Sequence, residues 1–282
     1  MSDRHARIES ALGSPVESIS ALQGGCVAEV YRVRLARGGD LAVKLDAGGD
    51  AKLDIEGFML GRLRDVGVRV PEVVHCEPSL LAMEYIENDG RRSTEGEAEL
   101  GRIVAELHGH SAERYGLERD TLIGPLDQPN GWSDDWPAFY ADRRIAVMAD
   151  LAERRGSLPA GCRDRLRALC DRMPELIPNP NPPSLIHGDL WAGNILWHAG
   201  RPAALIDPAV YSADPEIELA FIDLMGGLGP AFWEAHHERR PIDEGFRASR
   251  CSLYQLYPLL VHAALFGGGY GASVDSIARR LA

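Results

Sequence analysis

The chain has 282 residues, of which 45% are hydrophobic and 26% are charged, a composition typical of a folded globular protein rather than a disordered one. Its net charge of −12 disfavours nucleic acid and anionic membranes as partners, because both are negatively charged. The first ten residues are polar and no apolar run is long enough to cross a bilayer, so we expect no signal peptide and no membrane span. Five cysteines without a CxxC pair argue against a disulfide framework, and we expect a cytoplasmic, reduced protein.

The chain begins with the pattern of a helix followed by a β-hairpin. Residues 1 to about 20 are predicted to form a helix, with Ile8 on its apolar face. Residues 28–35 alternate between apolar and polar side chains, and residues 41–45 form a short apolar run. This pattern predicts two antiparallel strands joined by a turn.

A second helix and two more strands follow the hairpin. Apolar residues at helical spacing predict a helix over residues 54–66, and Gly67 suits its C-cap. Residues 70–76 and 80–86 are apolar runs that predict strands. The first 86 residues therefore indicate a small lobe that is rich in strands.

Helical patterns dominate after this point, except over residues 184–207, where short apolar runs favour strands. The sequence predicts an α+β fold with two lobes, residues 1–86 and the larger, mainly helical residues 87–282. The helices predicted in the second lobe cover residues 97–109, 136–154, 162–176 and 247–266.

The strongest motif is HGDLWAGN at residues 187–194. Asp189 precedes Asn194 by five residues, and Asp207 follows thirteen residues later, which is the spacing of kinase catalytic residues. In such enzymes one carboxylate orients the attacking hydroxyl, while the amide oxygen and the second carboxylate hold Mg²⁺ on the ATP phosphates. A polar loop that caps a helix is the alternative, and we interpret His187 as a structural residue of the loop.

Lysine usage singles out a second position. Of the 30 basic residues only Lys44 and Lys52 are lysines, and Lys44 lies in the apolar segment Leu-Ala-Val-Lys-Leu. This segment is similar to the kinase strand whose lysine contacts the α- and β-phosphates. Glu56 is the predicted ion-pair partner of Lys44, with Asp54 as the alternative. A lysine on an edge strand that extends to solvent is the structural alternative.

A glycine-containing segment precedes the first hairpin strand. Gly24 and Gly25 favour a loop whose backbone N–H groups cover phosphates, although the pattern is not GxGxxG and an ordinary turn fits equally well. Cys26 lies in the same loop. Its thiol is a candidate for redox sensitivity, with a small buried side chain as the alternative.

The strand over residues 80–86 ends with four residues that suit a nucleotide-binding hinge. Met83, Glu84, Tyr85 and Ile86 lie where a kinase chain passes from one lobe to the other and binds adenine through backbone groups. A plain core strand is the alternative interpretation.

In this order the segments resemble the protein-kinase-like fold, and within it the fructosamine/ketosamine-3-kinase family, a relative of aminoglycoside phosphotransferases and choline kinases. The resemblance covers essentially the whole chain. Asp207-Pro208-Ala209 replaces the Asp-Phe-Gly of protein kinases, and Ser212-Ala213 departs from the Tyr-Gly that the family pattern leads us to expect. The motifs that carry the resemblance are PNGWSDDW at 129–136, HGDLWAGN at 187–194, DPAVY at 207–211 and LFGGGY at 265–270.

The resemblance implies roles for the residues at the centre of these motifs. Asp189 would be the catalytic base, and Asn194 and Asp207 would be the Mg²⁺ ligands. Lys44, paired with Glu56, would contact the ATP phosphates. Residues 83–86 would bind adenine.

Other residues are weaker candidates for contact with the acceptor, the molecule that would receive the phosphoryl group. Trp191 follows the base by two residues and would form a wall of the sugar pocket. Trp132 and Trp136 fit either this pocket or the core. The remaining candidates for contact with the acceptor are Tyr211, Asp214, His262 and Tyr270.

The function implied by the resemblance is ATP- and Mg²⁺-dependent phosphorylation of the 3-hydroxyl of ketosamines, meaning fructosamines or ribulosamines on amines, amino acids or protein lysines. The product would break down and release the amine, which would make the protein a deglycation enzyme. One alternative is a phosphotransferase of the same fold that acts on an aminoglycoside or choline, and another is an inactive nucleotide-binding module. We expect a monomer or, through Cys26, a redox-dependent homodimer.

Overall fold

A five-stranded antiparallel sheet forms the N-terminal part of the molecule. The computed structural model describes residues 3–22, 28–46, 48 and 50–281. The strand order in the sheet is β1-β2-β3-β5-β4, which places β3 in the middle. The strands are β1 (Val16–Ala21), β2 (Glu29–Leu35), β3 (Gly39–Leu45), β4 (Val73–Glu77) and β5 (Leu80–Glu84).

The first helix, α1 (Asp3–Leu12), is shorter than the sequence predicts. It ends at Gly13, whose φ of 61° is the left-handed conformation that glycine adopts at a helix C-terminus. The chain then continues as β1, which pairs with β2 from Val16 opposite Leu35. The prediction of one helix to about residue 20 was therefore wrong after residue 12, because β1 gains cross-strand hydrogen bonds that its local pattern does not reveal.

The hairpin of β2 and β3 agrees with the alternation seen in the sequence. Tyr31 and Val33 point inward and pack with Ile8 of α1 in one apolar cluster. On β3 the register places Lys44 between Val30 of β2 and Leu81 of β5. The strand that carries Lys44 is therefore paired on both sides, so Lys44 does not lie on an edge strand.

The second helix, α2 (Leu53–Asp65), covers the sheet beside β5 and β4, in agreement with its predicted range. Its buried residues Met59, Leu60 and Leu63 join an apolar cluster that extends to Leu190 and Leu205 in the second half of the chain. The sheet and the segment around residues 187–207 thus share one core, which sets their separation.

The remainder of the described chain is mainly helical, as predicted, with short two-stranded sheets between the helices. Helices α8, α9 and α12 were not predicted. π-helical turns over residues 141–146 and 246–250 continue into α5 and α10. The helices are α3 (Thr94–Leu107), α4 (Trp136–Tyr140), α5 (Val147–Arg154), α6 (Cys162–Asp171), α7 (Met173–Leu176), α8 (Glu216–Met225), α9 (Pro230–Arg239), α10 (Cys251–Tyr254), α11 (Leu256–Phe266) and α12 (Tyr270–Leu281). The strands are β6 (Thr121–Ile123), β7 (Leu126–Gln128), β8 (Ser184–Ile186), β9 (Ile195–His198), β10 (Arg201–Leu205) and β11 (Tyr211–Ala213).

Helices α3 and α9 approach each other closely at Gly101. A Cβ atom at this position would lie 2.3 Å from the carbonyl oxygen of Phe232 and 3.1 Å from the backbone nitrogen of His236. Both neighbours are helix backbone, so they cannot move aside as a flexible side chain could. Glycine at position 101 is therefore a requirement of the helix packing.

We expect Gly101→Ala to lower the free energy of unfolding by about 1–3 kcal/mol, the usual range for overpacking. Gly61→Ala on α2 is the matched control, because an added Cβ there meets no atom within 4 Å. That control should be stabilised by up to about 1 kcal/mol through the higher helix propensity of alanine. Denaturant titration of both variants measures the difference, and equal stability of the two would contradict the close packing.

Candidate active site

The side chain of Lys44 contacts two carboxylates. Lys44 is buried, with 8% of its surface exposed. Its Nζ atom lies 2.7 Å from Oε1 of Glu56 on α2 and 2.5 Å from Oδ1 of Asp207, which follows β10. A central strand, a packed helix and the end of a distant strand thus converge on one ammonium group.

The charges of this triad do not cancel, since two carboxylates share one lysine. Burial disfavours the charged form of Lys44, but Glu56 and Asp207 outweigh burial and raise the pKa of the lysine. Burial and the charge of Asp207 raise the pKa of Glu56, against the attraction of Lys44. The surplus of negative charge makes this a favourable place for a further cation.

The structure distinguishes between the two acidic candidates on α2. Glu56 contacts Lys44, whereas Asp54 is 40% exposed and lies 3.7 Å from the Arg119 guanidinium. Two residues along a helix change the direction of a side chain by about 200°, which follows from 3.6 residues per turn. Only one of the two carboxylates can therefore reach the lysine.

Replacement of Glu56 by glutamine is expected to lower kcat/KM for ATP about 10–100-fold, which corresponds to one charge-assisted hydrogen bond of roughly 1.5–3 kcal/mol. Asp54→Asn should stay within about twofold of the wild type, because an exposed ion pair contributes little. Steady-state kinetics with varied ATP measures both effects. A larger effect at Asp54 than at Glu56 would contradict the pairing.

The HGDLWAGN motif forms a loop between β8 and β9, with a 3₁₀ turn over Ala192–Asn194. The side-chain Nδ2 atom of Asn194 donates to the backbone oxygen of Asp189 at 2.8 Å and to its carboxylate Oδ2 at 3.1 Å. His187 is fully buried, with Nε2 3.0 Å from the Ile206 oxygen. These contacts agree with the structural role expected for His187 and orient the Asp189 carboxylate.

The half-buried carboxyl of Asp189 has unusual basicity. Burial raises its pKa to about 7, the hydrogen bond from Asn194 opposes this rise, and the negative charges of Asp207 and Glu218 add to it. A carboxylate with such a pKa is a better proton acceptor at neutral pH than an ordinary aspartate. The site therefore contains a positioned candidate general base.

The oxygen donors beside Asp189 suit a hard divalent cation. Both side-chain hydrogen bonds that Asn194 makes within the described residues use Nδ2, so its Oδ1 atom remains available to a metal ion. Asp207 uses Oδ1 for Lys44, which leaves Oδ2. An amide oxygen and a carboxylate oxygen are ligands typical of Mg²⁺, so these residues fit the ion that the resemblance implies.

Asp207 adopts a left-handed backbone conformation, with φ of 54°. A non-glycine residue held in this region carries strain, which is common at functional sites. The next turn is fixed by a hydrogen bond from the Ala209 backbone N–H to the His187 oxygen at 2.8 Å. This contact joins the loop that holds Asp189 to the segment that holds Asp207.

The predicted hinge lies at the end of β5, where the chain leaves the sheet. Met83 is buried, and Glu84 forms two hydrogen bonds with the Arg69 guanidinium at 2.7 and 2.5 Å. The Arg32 guanidinium stacks 4.1 Å from the centre of the Tyr85 ring. Arginines thus contact the side chains of Glu84 and Tyr85 in the predicted hinge. Ile86 is buried, with 9% of its surface exposed.

The acceptor candidates divide into exposed and buried residues. Trp191 is exposed, and its ring packs over Gly193, where a Cβ atom would lie only 2.4 Å from the indole. The structure does not bring Tyr211 and Asp214 to the surface, since each is 1% exposed. Tyr211 stacks under a buried arginine, and Asp214 accepts hydrogen bonds from neighbouring backbone and side-chain groups.

The other aromatic candidates lie elsewhere on the C-terminal part of the chain. His262 and Tyr270 have ring centroids 5.1 Å apart at the junction of α11 and α12. Trp136 is fully buried in the core, and Trp132 is exposed. Gly24, Gly25 and Cys26 lie outside the described residues.

A residue to which the sequence pattern assigned no role contacts the backbone of the loop that holds Asp189. Glu218 on α8 accepts a hydrogen bond from the Gly188 N–H at 2.6 Å and is 2% exposed. A glutamate within the apolar run Ile217–Ile222 was the available signal, because a buried carboxylate needs a specific partner.

Comparison with known proteins places these features in a family. A model of the fructosamine kinase family matches residues 1–282. A probable ketoamine kinase from Synechocystis is 38% identical over 212 residues, which span 72% of this chain and 69% of that protein. The ketosamine-3-kinase of Mus musculus is 30% identical over an alignment of 305 positions, which covers 95% of this chain and 96% of that protein.

Solved structures agree with this assignment. A candidate fructosamine-3-kinase from Thermobifida fusca has a TM-score of 0.86 at 34% identity and covers 99% of this chain and 98% of its own. The ternary complex of streptomycin, ATP and APH(2")-IIa has a TM-score of 0.64 at 14% identity and covers 99% of this chain and 96% of its own, which shows the shared fold alone. None of the helices within the described residues has the length and hydrophobicity needed to cross a membrane.

Proposed function

The chain belongs to the fructosamine kinase family, and we propose that it transfers the γ-phosphoryl group of ATP to the 3-hydroxyl of a ketosamine. The observation that carries this proposal is the convergence of the site: Lys44 contacts Glu56 and Asp207 while Asn194 orients Asp189. Phosphoryl transfer needs little covalent chemistry from the protein and depends mainly on positioning and charge. These five side chains supply both.

Asp189 is the proposed base. Its carboxylate would accept a hydrogen bond from the acceptor hydroxyl, orient the oxygen toward the γ-phosphorus and take the proton as the new bond forms. A pKa raised to about 7 by burial favours proton acceptance near neutral pH. Asn194 holds Oδ2 at 3.1 Å, so the carboxylate does not rotate freely.

Lys44 is the proposed phosphate contact. Its ammonium group is buried and remains charged, since the carboxylates beside it raise its pKa. Glu56 holds the lysine from the side of α2, which supports a fixed position for the positive charge. In a site shielded from water such a charge stabilises the developing negative charge of the transition state.

Asn194 and Asp207 are the proposed Mg²⁺ ligands. Mg²⁺ bound to these oxygens would neutralise part of the phosphate charge. Residues 83–86 are the proposed adenine contact, and the segment that contains Gly24 and Gly25, which lies outside the described residues, is the proposed contact for the ATP phosphates.

Trp191 is proposed to form one wall of the acceptor site. Its ring is exposed, and it follows the proposed base Asp189 by two positions in the chain. An indole face binds the apolar face of a sugar and attracts the ammonium group that a ketosamine carries. A ketosamine phosphorylated on the 3-hydroxyl is expected to break down and release its amine. The proposed cellular role is therefore deglycation, and the proposed location is the cytoplasm, where ATP is available.

An acceptor panel tests the proposed function. We expect ADP release with Mg²⁺-ATP in the presence of ribulosyl-lysine or fructosyl-lysine, and no release above background with choline or an aminoglycoside. Coupled measurement of ADP provides the rates. Turnover of choline or the aminoglycoside alone would leave the fold and the chemistry in place but contradict the ketosamine acceptor. Nucleotide binding without turnover of any acceptor would favour the inactive module.

A further inference from the structure

A buried amide side chain contacts the backbone just after Asp207. Gln128, the last residue of β7, is fully buried. Its Nε2 atom donates to the backbone oxygen of Ala209 at 3.1 Å and to Oγ1 of Thr121 at 2.9 Å. Its Oε1 atom accepts a hydrogen bond from the hydroxyl of Tyr257 on α11 at 2.7 Å. Both polar atoms of the amide thus have defined partners, and the proposed chemistry uses none of these side chains.

The three contacts determine the direction in which the amide points. Tyr257 is buried, and burial raises the pKa of its hydroxyl, so the hydroxyl keeps its proton at pH 7 and donates it to Gln128 in a hydrogen bond. A reversed amide would place its own oxygen against the oxygen of Ala209. Two acceptors would then face each other in the interior, and a buried acceptor without a donor is costly. Nε2 of Gln128 is therefore held toward Ala209.

Ala209 is held through both of its backbone polar groups. Its N–H donates to the His187 oxygen at 2.8 Å, and its oxygen accepts the hydrogen bond from Gln128. The same oxygen lies against Gly188, where an added Cβ atom would be only 2.1 Å away. Ala209 follows Asp207 by two residues, and the φ of Asp207 is 54°. A residue keeps such a conformation only where the surrounding structure fixes it, so the contacts of Ala209 bear directly on Asp207.

We propose that Gln128 is a positioning residue, which holds the Ala209 carbonyl and thereby keeps the Asp207 carboxylate where it can contact Lys44 and bind a divalent cation. Tyr257 supports this role because it fixes the direction of the amide. The inference rests on the proposed function, in which Asp207 is a Mg²⁺ ligand.

A second buried amide two positions along the chain provides a matched comparison. Asn130 is 2% exposed, and its Nδ2 atom donates to the Arg119 oxygen at 3.1 Å and to Oγ1 of Thr121 at 2.9 Å. Its Oδ1 atom accepts a hydrogen bond from the Arg144 guanidinium at 2.7 Å. None of these hydrogen bonds reaches residues 207–209. A purely structural role for the buried amides of this segment predicts similar behaviour of Asn130 and Gln128.

The test compares Gln128→Met with Asn130→Leu, because each replacement keeps the approximate shape of the side chain and removes its hydrogen bonds. Calorimetry measures the dissociation constant of ADP with and without Mg²⁺, and the ratio of the two constants is the gain in affinity from the metal. For Gln128→Met we expect this gain to fall about tenfold, the effect of one lost buried hydrogen bond. The dissociation constant of ADP without metal should stay within about threefold, since Glu56 still holds Lys44. Asn130→Leu should lose stability but keep the gain within about twofold.

Hydrogen exchange at the Ala209 N–H provides a readout that needs neither metal nor acceptor. Under native conditions an amide in a turn exchanges through local opening rather than through global unfolding, so a general loss of stability leaves its rate unchanged. We expect exchange at Ala209 to accelerate about tenfold in Gln128→Met, because the turn loses one of its two hydrogen bonds. In Asn130→Leu the rate should stay within about twofold of the wild type.

Unchanged exchange at Ala209 in Gln128→Met, an unchanged gain from Mg²⁺, or equal effects of the two variants would overturn the proposal. Should Gln128→Met not fold, Tyr257→Phe decides, since it keeps the ring and removes the hydroxyl that orients the amide. Exchange at Ala209 should then accelerate about threefold, and an unchanged rate would overturn the proposal. A wild-type protein without any gain from Mg²⁺ would overturn it together with the metal role of Asp207. Failure of the ketosamine acceptor remains distinguishable, because both readouts are measured without an acceptor.

Discussion

Replacement of Asp189 by asparagine is expected to lower kcat by about 10²–10⁴-fold, the range for loss of a general base. The amide has nearly the same shape and can still accept the hydrogen bond from Asn194, which holds Oδ2 at 3.1 Å. It cannot take a proton from the acceptor hydroxyl. Turnover with Mg²⁺-ATP and the best ketosamine of the panel measures the loss.

Nucleotide binding should survive this change, because Lys44 and Asp207 keep their contact. Calorimetry with ADP should therefore give a dissociation constant within a few-fold of the wild type. Asp171→Asn, at the exposed end of α6, is the control and should leave kcat unchanged. Retention of more than a tenth of kcat in the Asp189 variant would argue that another group takes the proton.

A large loss of stability is expected on replacement of Arg144, which lies in the π-helical turn before α5 and is fully buried. Its guanidinium donates to the Pro129 oxygen at 2.6 Å and to Oδ1 of Asn130 at 2.7 Å. It also stacks on Tyr211, with 3.9 Å between the guanidinium carbon and the ring centre. Arg144→Ala would leave a cavity and two unpaired acceptors. We expect it to lower the free energy of unfolding by about 3–5 kcal/mol.

The neighbouring Arg143 is exposed and provides the control. Arg143→Ala should change the free energy of unfolding by no more than about 0.5 kcal/mol, as is usual for surface substitutions. Arg144→Lys should fall between the two, since lysine keeps the charge but lacks the planar fork. Denaturant titration of the three variants gives the order, and an Arg144→Ala variant as stable as Arg143→Ala would contradict the buried network.

Arg144 also explains why Tyr211, one of the candidate acceptor residues, lies in the interior. The Arg144 guanidinium lies over three aromatic rings, those of Phe139, Tyr211 and Tyr257. Asp214, which follows Tyr211 in the chain, accepts hydrogen bonds from Asn181 and Tyr254. Within residues 207–214, Asp207 contacts Lys44, whereas Tyr211 and Asp214 pack in the interior.

Several features of this protein are determined locally and are visible in the sequence. The alternation over residues 28–35 predicted β2, because a strand with one buried face needs every second side chain to be apolar. The Asp-Asn-Asp spacing predicted the loop between β8 and β9 and the position of Asp207 after it. The contacts of Asn194 with Asp189 join residues only five positions apart, so a local motif can specify them. The rarity of lysine drew attention to Lys44, whose neighbours in the chain already indicated an apolar strand.

Tertiary structure alone decided which side chains meet. Lys44 and Asp207 are 163 positions apart, and no local pattern specifies a contact across that distance. Residues 16–21 became a strand because β2 offered them hydrogen bonds. The roles of Glu218 and Arg144 follow only from the fold, because their buried partners His108 and Tyr211 lie far from them in the chain. The sequence by itself thus determined the elements and the reactive groups, whereas long-range packing determined their distances, burial and charge.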